Sequence, residues 1–535
     1  MNDPQPARFD HSVGGVKRFI ARVGEWIAPA VAIVLSILPL LRGGFAMGHD
    51  WPFELVRIAE FRFALLDGQL PPFWASNLYG GLGSPIFLFY PPLYLTLSAA
   101  LVPLTTSVAN AAVATLVVFT LMGAGLVWKL MRQVCPAEPA GARIAVVLYS
   151  LQPYLLADKW VRNANAEFAA LSILPAVLIG ATAREPRRAF WWTTISLTAV
   201  ILAHNVIALV AAALAFMVAA LVHRNARALA PVGLGGLTAL GLTAFFWLPA
   251  FVLLPLVQHN DLLIGKFDFH GQFPDLRAVF STAEFYSGGW LVLPLLVAMI
   301  LSPVKDNHAR KVVRVFALMA VGLILMMTRF STIAWEKLPL LPYAQFPWRL
   351  TGPLAVLLAA GGGIAANALK RPLIRRTAEA GVLVFAIVNA YPAMQRYVPL
   401  SPQIKTQAER VLTRDGIRAQ KLRATVYDEY RPVTNVRQSA TGTERKIVFA
   451  KWAFPVWSAR VNGRGISVET CRDGLACVDA TDANEQVALQ LDEPRVRQRC
   501  KALSAFCGVG LLVWALFVRP RSAARAARKL LQTAE

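Results

Sequence analysis

GHDWPFELVRIAEFRFALLDGQLPPFWASNLYGGLGSPIFLFYPP, residues 48–92, decides how the rest of the chain is read. It follows the first long apolar run and carries His49, Asp50, Glu54, Arg57, Glu60, Arg62 and Asp67. It is too polar to cross a bilayer as a helix, and its prolines and glycines mark irregular backbone. Around it the sequence is apolar: 56% of 535 residues are hydrophobic and only 16% are charged, with a mean hydropathy of +0.50. Runs approaching the ~20 residues that cross hydrocarbon recur along the chain. The fold class is therefore an α-helical polytopic membrane protein with an acid-bearing loop directly after its first span.

The formal net charge of +23 does not point to nucleic acid, because the basic residues sit in short clusters between apolar runs. These are Lys17/Arg18/Arg22, Lys129/Arg132/Arg143, Arg184/Arg187/Arg188, Arg224/Arg227, Lys305/Arg310/Lys311/Arg314, Lys370/Arg371/Arg375/Arg376 and Arg519/Arg521/Arg525/Arg528/Lys529. Cytoplasmic loops carry such clusters under the positive-inside rule. About twelve spans are expected, near 26–42, 108–130, 143–157, 168–183, 190–203, 206–222, 229–255, 288–303, 312–328, 350–369, 377–394 and 502–518. The apolar stretch 86–104 is left out, as a re-entrant or interfacial segment. Pro91, Pro92 and Pro103 interrupt it, and counting it as a span would put most basic clusters outside.

The domains expected from this are a cytoplasmic N-terminus (1–25), a membrane domain (26–395) with an outer loop at 43–107, an outer domain (396–501), a last helix (502–518) and a basic cytoplasmic tail (519–535). Segment 396–501 opens with mixed polar sequence from Ser401 to Lys421. It then alternates apolar and polar residues in KIVFAKWAF, WSARVNGRGISVET, GLACVDA and EQVALQLDE, with turn signals at Asn462-Gly463 and Asp473-Gly474. That pattern predicts antiparallel strands and a small β-rich sandwich. Cys471 and Cys477 bracket a tight turn in CRDGLAC, and a disulfide between them suits an oxidising compartment.

Polar residues collect in the outer loops, where ionisable groups at membrane depth tend to be functional. Asp50 can act as a general base on an acceptor hydroxyl, or with Asp158 as a ligand for a divalent cation such as Mg or Mn. It also reads as a helix N-cap before Trp51-Pro52. Glu54, Arg57 and Glu60 have helical spacing, and Arg57 can pair with either acid. Asp158, Arg162, Asn163, Asn165 and Glu167 share one short loop, 158–167. His204-Asn205 forms a tight hairpin, and Gln345, Trp348 and Arg349 stand in YAQFPWR. Arginine at either place suits a phosphate. Trp74, Tyr79, Phe87, Phe89, Tyr90 and Tyr94 suit an aromatic belt or a platform for sugar or lipid. No nucleotide phosphate loop, nucleophile elbow or H-E-x-x-H motif is present.

The layout resembles the GT-C superfamily of membrane glycosyltransferases over most of its length. Those enzymes have many spans, an acid in the first outer loop, a second acid between later spans and often an outer C-terminal domain. By that resemblance Asp50 matches the first-loop catalytic acid, and Asp158 or Glu167 matches the second. FYPPLY, residues 89–94, is similar to the Pro-Pro-Leu-Tyr stretch of the lipid-linked aminoarabinose and protein-mannosyl branches, with Tyr90 where those branches often carry lysine. The strings GHDWPFE, YGGLGSPIFLFYPPLY, RNANAEF, AHN, FFWLPAF, QFPWRL and FPVWSARVNG look like landmarks of bacterial multi-spanning proteins labelled 6-pyruvoyl-tetrahydropterin-synthase-related. The label does not imply pterin chemistry, because the seven histidines are scattered and form no zinc motif.

The resemblance implies a bacterial inner-membrane enzyme with both termini cytoplasmic and a periplasmic active face. The donor would be a sugar on a polyprenyl phosphate, and the acceptor an envelope glycan or protein. Asp50 would be the base or metal ligand, assisted by Asp158 and Glu167. His49, Arg57, Tyr90, Arg162, His204, Asn205, Gln345, Trp348 and Arg349 would bind substrate. A transporter or flippase of a lipid-linked substrate, and a non-catalytic scaffold with a polymer-binding β domain, stay open at this point.

Overall fold

The computed structural model describes residues 25–517 apart from 138, 370, 426–427, 434–444, 462–463 and 481–486. The basic N-terminus, the tail 519–535, Lys370 and the Asn462-Gly463 turn lie outside the described residues. Among the described residues, six helices are long and apolar enough to cross a bilayer: Val108–Val134, Asn165–Thr182, Asn205–His223, Pro347–Ala366, Leu373–Gln395 and Arg495–Leu516. Counting each of three bent pairs as one span raises the number to nine. They are Pro139–Ser150 with Pro153–Arg162 (43°), Ala226–Leu242 with Ala244–Leu256 (68°) and Asn307–Met326 with Arg329–Lys337 (85°).

Of the about twelve expected spans, six to nine are matched by length and composition among the described residues. The first, 26–42, forms Ile27–Gly43, only 17 residues long. The span at 190–203 lies in Pro186–Ala203, whose arginines, threonines and serine dilute its apolar character. The span at 288–303 shrinks to the nine-residue helix Val292–Ile300. The chain before it turns through Gly289 at φ +94°, where a side chain would be strained.

The stretch 86–104 becomes a 3-10 turn, Ile86–Leu88, and a 14-residue helix, Pro92–Thr105. At 1.5 Å per residue that helix reaches roughly 21 Å, short of the hydrocarbon thickness. It packs on Val108–Val134 and on Trp51–Leu66, the helix of the first loop.

Two helices form the centre of the bundle. Asn165–Thr182 is buried along its whole length, and Pro347–Ala366 along most of it. Glu167 stands in the first turn of one and Arg349 at the start of the other. The polar opening of the outer segment, Ser401 to Lys421, is largely helical. It forms Pro402–Val411 and Arg414–Ala419, with Ser401 and Thr413 as hydrogen-bonding caps. Both helices dock on the membrane domain. Arg414 pairs with Asp67 at 2.7 Å, and Glu409 accepts bonds from the Ser107 hydroxyl (2.7 Å) and the Ala109 N–H (3.1 Å), at a helix N-terminus that favours an anion.

Among the described residues six strands follow: β1 (Arg445–Trp452), β2 (Trp457–Val461), β3 (Arg464–Ile466), β4 (Glu469–Thr470), β5 (Leu475–Ala480) and β6 (Val487–Leu491). They form two antiparallel three-stranded sheets, ordered β1-β5-β4 and β3-β2-β6. Cys471 and Cys477 are disulfide-bonded beside the β4–β5 turn. Phe454 and Val456 pack into a second core with Phe73, Trp74, Leu88 and Phe89 of the first loop. Lys451 Nζ also donates to the Gly81 carbonyl at 2.5 Å.

Candidate active site

The first loop is clamped at its start by backbone bonds to distant segments. Met47 N–H donates to the Val398 carbonyl (2.8 Å), His49 N–H to Val161 (2.8 Å) and Asp50 N–H to Arg162 (3.1 Å). Asn163 Oδ1 accepts from the Gly48 N–H at 2.7 Å. Gly48 is required here by close approach. A Cβ at this position would stand 2.6 Å from the Val161 carbonyl oxygen and press on Asn163 Oδ1. Gly48→Ala is therefore expected to destabilise the protein by about 1–3 kcal/mol and to displace Asp50. Thermal unfolding together with activity checks this, and an unchanged midpoint with full activity would refute it.

Asp50 occupies the N-cap position of Trp51–Leu66, yet its side chain makes no capping bond. Its half-buried carboxylate accepts no hydrogen bond among the described residues, so both oxygens remain available.

Residues 158–167 are not the open loop expected from sequence. Asp158–Arg162 is a π-helical turn, Asn163 takes a left-handed conformation (φ +54°), and helix Asn165–Thr182 starts at once. Asparagine tolerates that conformation, and π turns recur at functional sites. The turn folds Arg162 back between two acids. Its guanidinium pairs with Asp158 and, at 3.1 Å, with Glu167, and it donates to the Tyr154 hydroxyl at 3.1 Å. The Tyr154 hydroxyl donates to Glu167 Oε1 at 2.5 Å. Arg349 Nε lies 3.3 Å from Glu167 Oε2. Two buried acids, the buried Arg162 and the partly buried Arg349 thus compensate one another. A charge here without a partner would cost several kcal/mol.

Arg349 is the less committed guanidinium. Its Nη1 donates to the Ala344 carbonyl (3.0 Å) and Gln345 Oε1 (3.3 Å), and its side chain is 17% exposed against 8% for Arg162. Gln345 in turn donates to the Leu262 carbonyl at 3.1 Å. Trp348 stacks its ring against Arg162, 4.7 Å from the guanidinium carbon.

An aromatic chain that the sequence did not reveal joins this cluster to the first loop. His49 meets Phe285 edge-on at 5.2 Å, and Phe285 meets Trp348 edge-on at 5.4 Å. Burial holds His49 below its usual range, against Asp50 and with Arg162. His204 closes another side. Its Nδ1 accepts from the Ile207 N–H at 3.2 Å, which leaves the proton of the neutral ring on Nε2 as a donor. Burial pushes its pKa down to about 4, partly offset by Glu167 and reinforced by Arg349 and Arg162. Asn205, exposed, donates to the Phe89 carbonyl at 3.2 Å.

Arg57 and Tyr90 belong to a neighbouring cluster. Arg57 pairs with Glu54 and stacks on Tyr90 at 4.5 Å. The Tyr90 hydroxyl donates to Glu54 Oε1 at 3.1 Å, and Asn165 Nδ2 lies 3.4 Å from Glu54 Oε2 and 3.0 Å from the Tyr94 hydroxyl. Asn165, two residues before Glu167, links the clusters. Of the first-loop aromatics, Trp74, Phe87, Phe89 and Tyr94 are buried in packing, which is not how a sugar platform or an exposed belt is built.

Glu60 does not pair with Arg57. Its Oε2 accepts the Asn77 N–H at 3.2 Å, Oε1 has no partner, and burial raises its pKa to about 7. Its folded value lies above the ordinary 4.5, so its contribution to stability is complete below 4.5 and is lost as pH rises through about 7. Glu60→Gln is expected to lessen the fall in unfolding midpoint between about pH 5 and 8. Identical pH profiles for the two proteins would refute this.

Among the described residues, no three His, Cys, Asp or Glu side chains gather so that they could hold a metal ion. Asp158 commits one oxygen to Arg162 and leaves Oδ2 buried without a partner.

No protein-family model and no curated protein matches the chain. Several solved structures are similar to it. The arabinofuranosyltransferase AftD from mycobacteria matches at TM-score 0.44 and 19% identity over 70% of this chain, which spans only 27% of that one. ArnT from Cupriavidus metallidurans, bound to undecaprenyl phosphate, matches at TM-score 0.42 and 15% identity over 77% of this chain and 78% of that one. The oligosaccharyltransferase AglB from Archaeoglobus fulgidus, in complex with an inhibitory peptide and a dolichol-phosphate, matches at TM-score 0.39 and 15% identity over 78% of this chain and 61% of that one. At TM-scores below 0.5 none of these likenesses decides the chemistry of the chain.

Proposed function

We propose that this chain is a membrane glycosyltransferase of the GT-C type, which moves a sugar from a polyprenyl-phosphate donor to an envelope acceptor. The observation that carries the reading is the contrast between its carboxylates. Asp158 and Glu167 are neutralised by arginine, whereas Asp50 is fixed by its backbone bond to the Arg162 carbonyl and keeps its side chain free. A half-buried carboxylate without hydrogen bonds suits a general base.

In this reading Asp50 takes the proton of an acceptor hydroxyl as that oxygen bonds to the anomeric carbon of the donor sugar. The bond between the anomeric carbon and the phosphate oxygen breaks, and its electron pair leaves with the polyprenyl phosphate. Arg349, with donor capacity left, steadies the charge that grows on the phosphate. His204 offers a neutral N–H to the same group. Arg162, Asp158, Glu167 and Tyr154 hold Arg349 and the first loop in register. Trp348, Gln345, His49 and Asn205 shape the surroundings, while Arg57 and Tyr90 brace the first-loop helix. No step is routed through a metal. A divalent cation at Asp50 and Asp158 is a separate proposal, decided by whether transfer survives chelation with EDTA. The bacterial inner membrane, the periplasmic active face and kinship with the 6-pyruvoyl-tetrahydropterin-synthase-related group belong to the same proposal, and sequence landmarks support them.

The test is mass spectrometry of envelope glycans from a deletion strain, the strain complemented with the wild-type protein, and the strain complemented with Asp50→Asn at matched expression. A sugar missing from the deletion and from the Asp50→Asn strain supports the reading and names the product. A sugar missing only from the deletion removes Asp50 from catalysis, and unchanged glycans in all three remove the proposed activity.

A further inference from the structure

Segment 329–340 is apolar where a loop between spans is ordinarily polar. Phe330 is 96% exposed, Ile333 71%, Leu338 52% and Leu340 43%. These residues follow a helix, Asn307–Met326, of 20 residues. At 1.5 Å per residue it is roughly 30 Å long, but Arg310, Lys311 and Arg314 stand in its first turns, so its apolar part begins only near Val315. The next helical piece, Arg329–Lys337, turns away from it by 85°. A segment turned nearly at right angles at the apolar end of a helix has the geometry to lie along a membrane surface.

Its two faces differ in the way such a position requires. On the inner side Trp335 is buried. Its indole Nε1 donates to the Met326 carbonyl at 2.9 Å, and its ring stacks on Phe269 at 5.6 Å. Glu336 reaches His270, with 3.3 Å between Oε1 and Nε2. On the outer side Phe330, Ile333 and Lys337 follow helical spacing, and the exposed Arg329 and Lys337 flank the apolar pair. Basic residues that bracket exposed apolar ones are the pattern of a helix lying in the headgroup region.

We propose that 329–340 is an interfacial anchor, with Phe330 and Ile333 inserted into the phospholipid headgroup and upper acyl zone. The occupant is lipid, because the patch continues directly from the exposed apolar side of Asn307–Met326, which carries Leu318 and Leu325. The anchor also fixes the depth of the candidate active site. The Thr351 hydroxyl donates to Met327 Sδ at 3.4 Å, so the end of Asn307–Met326 and the start of Pro347–Ala366, with Arg349, stand at one level. Arg349 is thereby held at the membrane surface, within reach of a group borne on a lipid. This inference does not depend on the proposed transfer reaction.

The test places p-benzoyl-phenylalanine at position 330, 333 or 336 of the full chain in native membranes. Each protein is irradiated, purified and weighed intact, and gel filtration checks that it is folded. All three positions are exposed, so the substitutions leave the core untouched. The expected result is phospholipid adducts at 330 and 333 and none above background at 336. Cross-links from 330 or 333 to a second copy or to another protein would overturn the proposal. So would lipid adducts at all three positions alike, or at none.

Discussion

Arg162→Met is expected to lower the stability of the protein by about 3–5 kcal/mol, the largest loss of any single exchange at the site. Arg162 lies between Asp158 and Glu167 and also bonds Tyr154. Methionine fills a similar volume but leaves Asp158 buried without a positive partner. Glu167 keeps Arg349 at 3.3 Å and the Tyr154 hydroxyl, so the damage concentrates on Asp158. The double variant Arg162→Met, Asp158→Asn is then expected to regain part of the loss, because a neutral amide is far cheaper to bury than a lone carboxylate. The unfolding midpoint in detergent, read from tryptophan fluorescence, measures both. If the single variant unfolds with the wild type, or the second exchange deepens the loss, the charge cluster does not hold the site together.

Asp50→Asn is expected to act in the opposite way, lowering transfer on the order of 10²–10⁴-fold with an unchanged unfolding midpoint. The exchange keeps shape and volume and removes only the ability to take a proton. Because the Asp50 carboxylate accepts no hydrogen bond among the described residues, little native structure depends on its charge. Its place is set by backbone bonds to Val161 and Arg162, which asparagine keeps. A midpoint that falls as far as that of Arg162→Met would make Asp50 structural. Wild-type transfer by Asp50→Asn would exclude it as the base.

The two variants separate roles that the sequence alone could not. Asp50, Asp158 and Glu167 stand out equally there, as acids near the ends of apolar runs. The structure divides them by what surrounds each carboxylate. The same holds for the arginines, since Arg162 is enclosed by acids and Arg349 keeps part of its fork free. Phe285, Tyr154 and Gly48 had no distinguishing signal in the chain. An aromatic residue in a loop, a tyrosine in an apolar run and a glycine before His-Asp are common. Asn163 and Asn165 were visible as polar residues, but a loop was expected where a π turn forms. Length and polarity do not distinguish a buried turn from an exposed loop.

What the sequence determined by itself follows from local, periodic physics. Hydrophobic runs required burial in lipid or protein and so gave a helical membrane chain. Alternation over a few residues gave the β strands, and the prolines of 86–104 broke that stretch into a turn and a 14-residue helix. The tertiary structure decided the number of helices long enough to cross, the helical nature of 402–419 and the role of each charge. These depend on partners far away in the chain, such as Gly48 with Asn163, 115 residues apart. The energy of a buried charge is set almost entirely by which groups come within a few ångströms of it. That proximity exists only once the chain has folded.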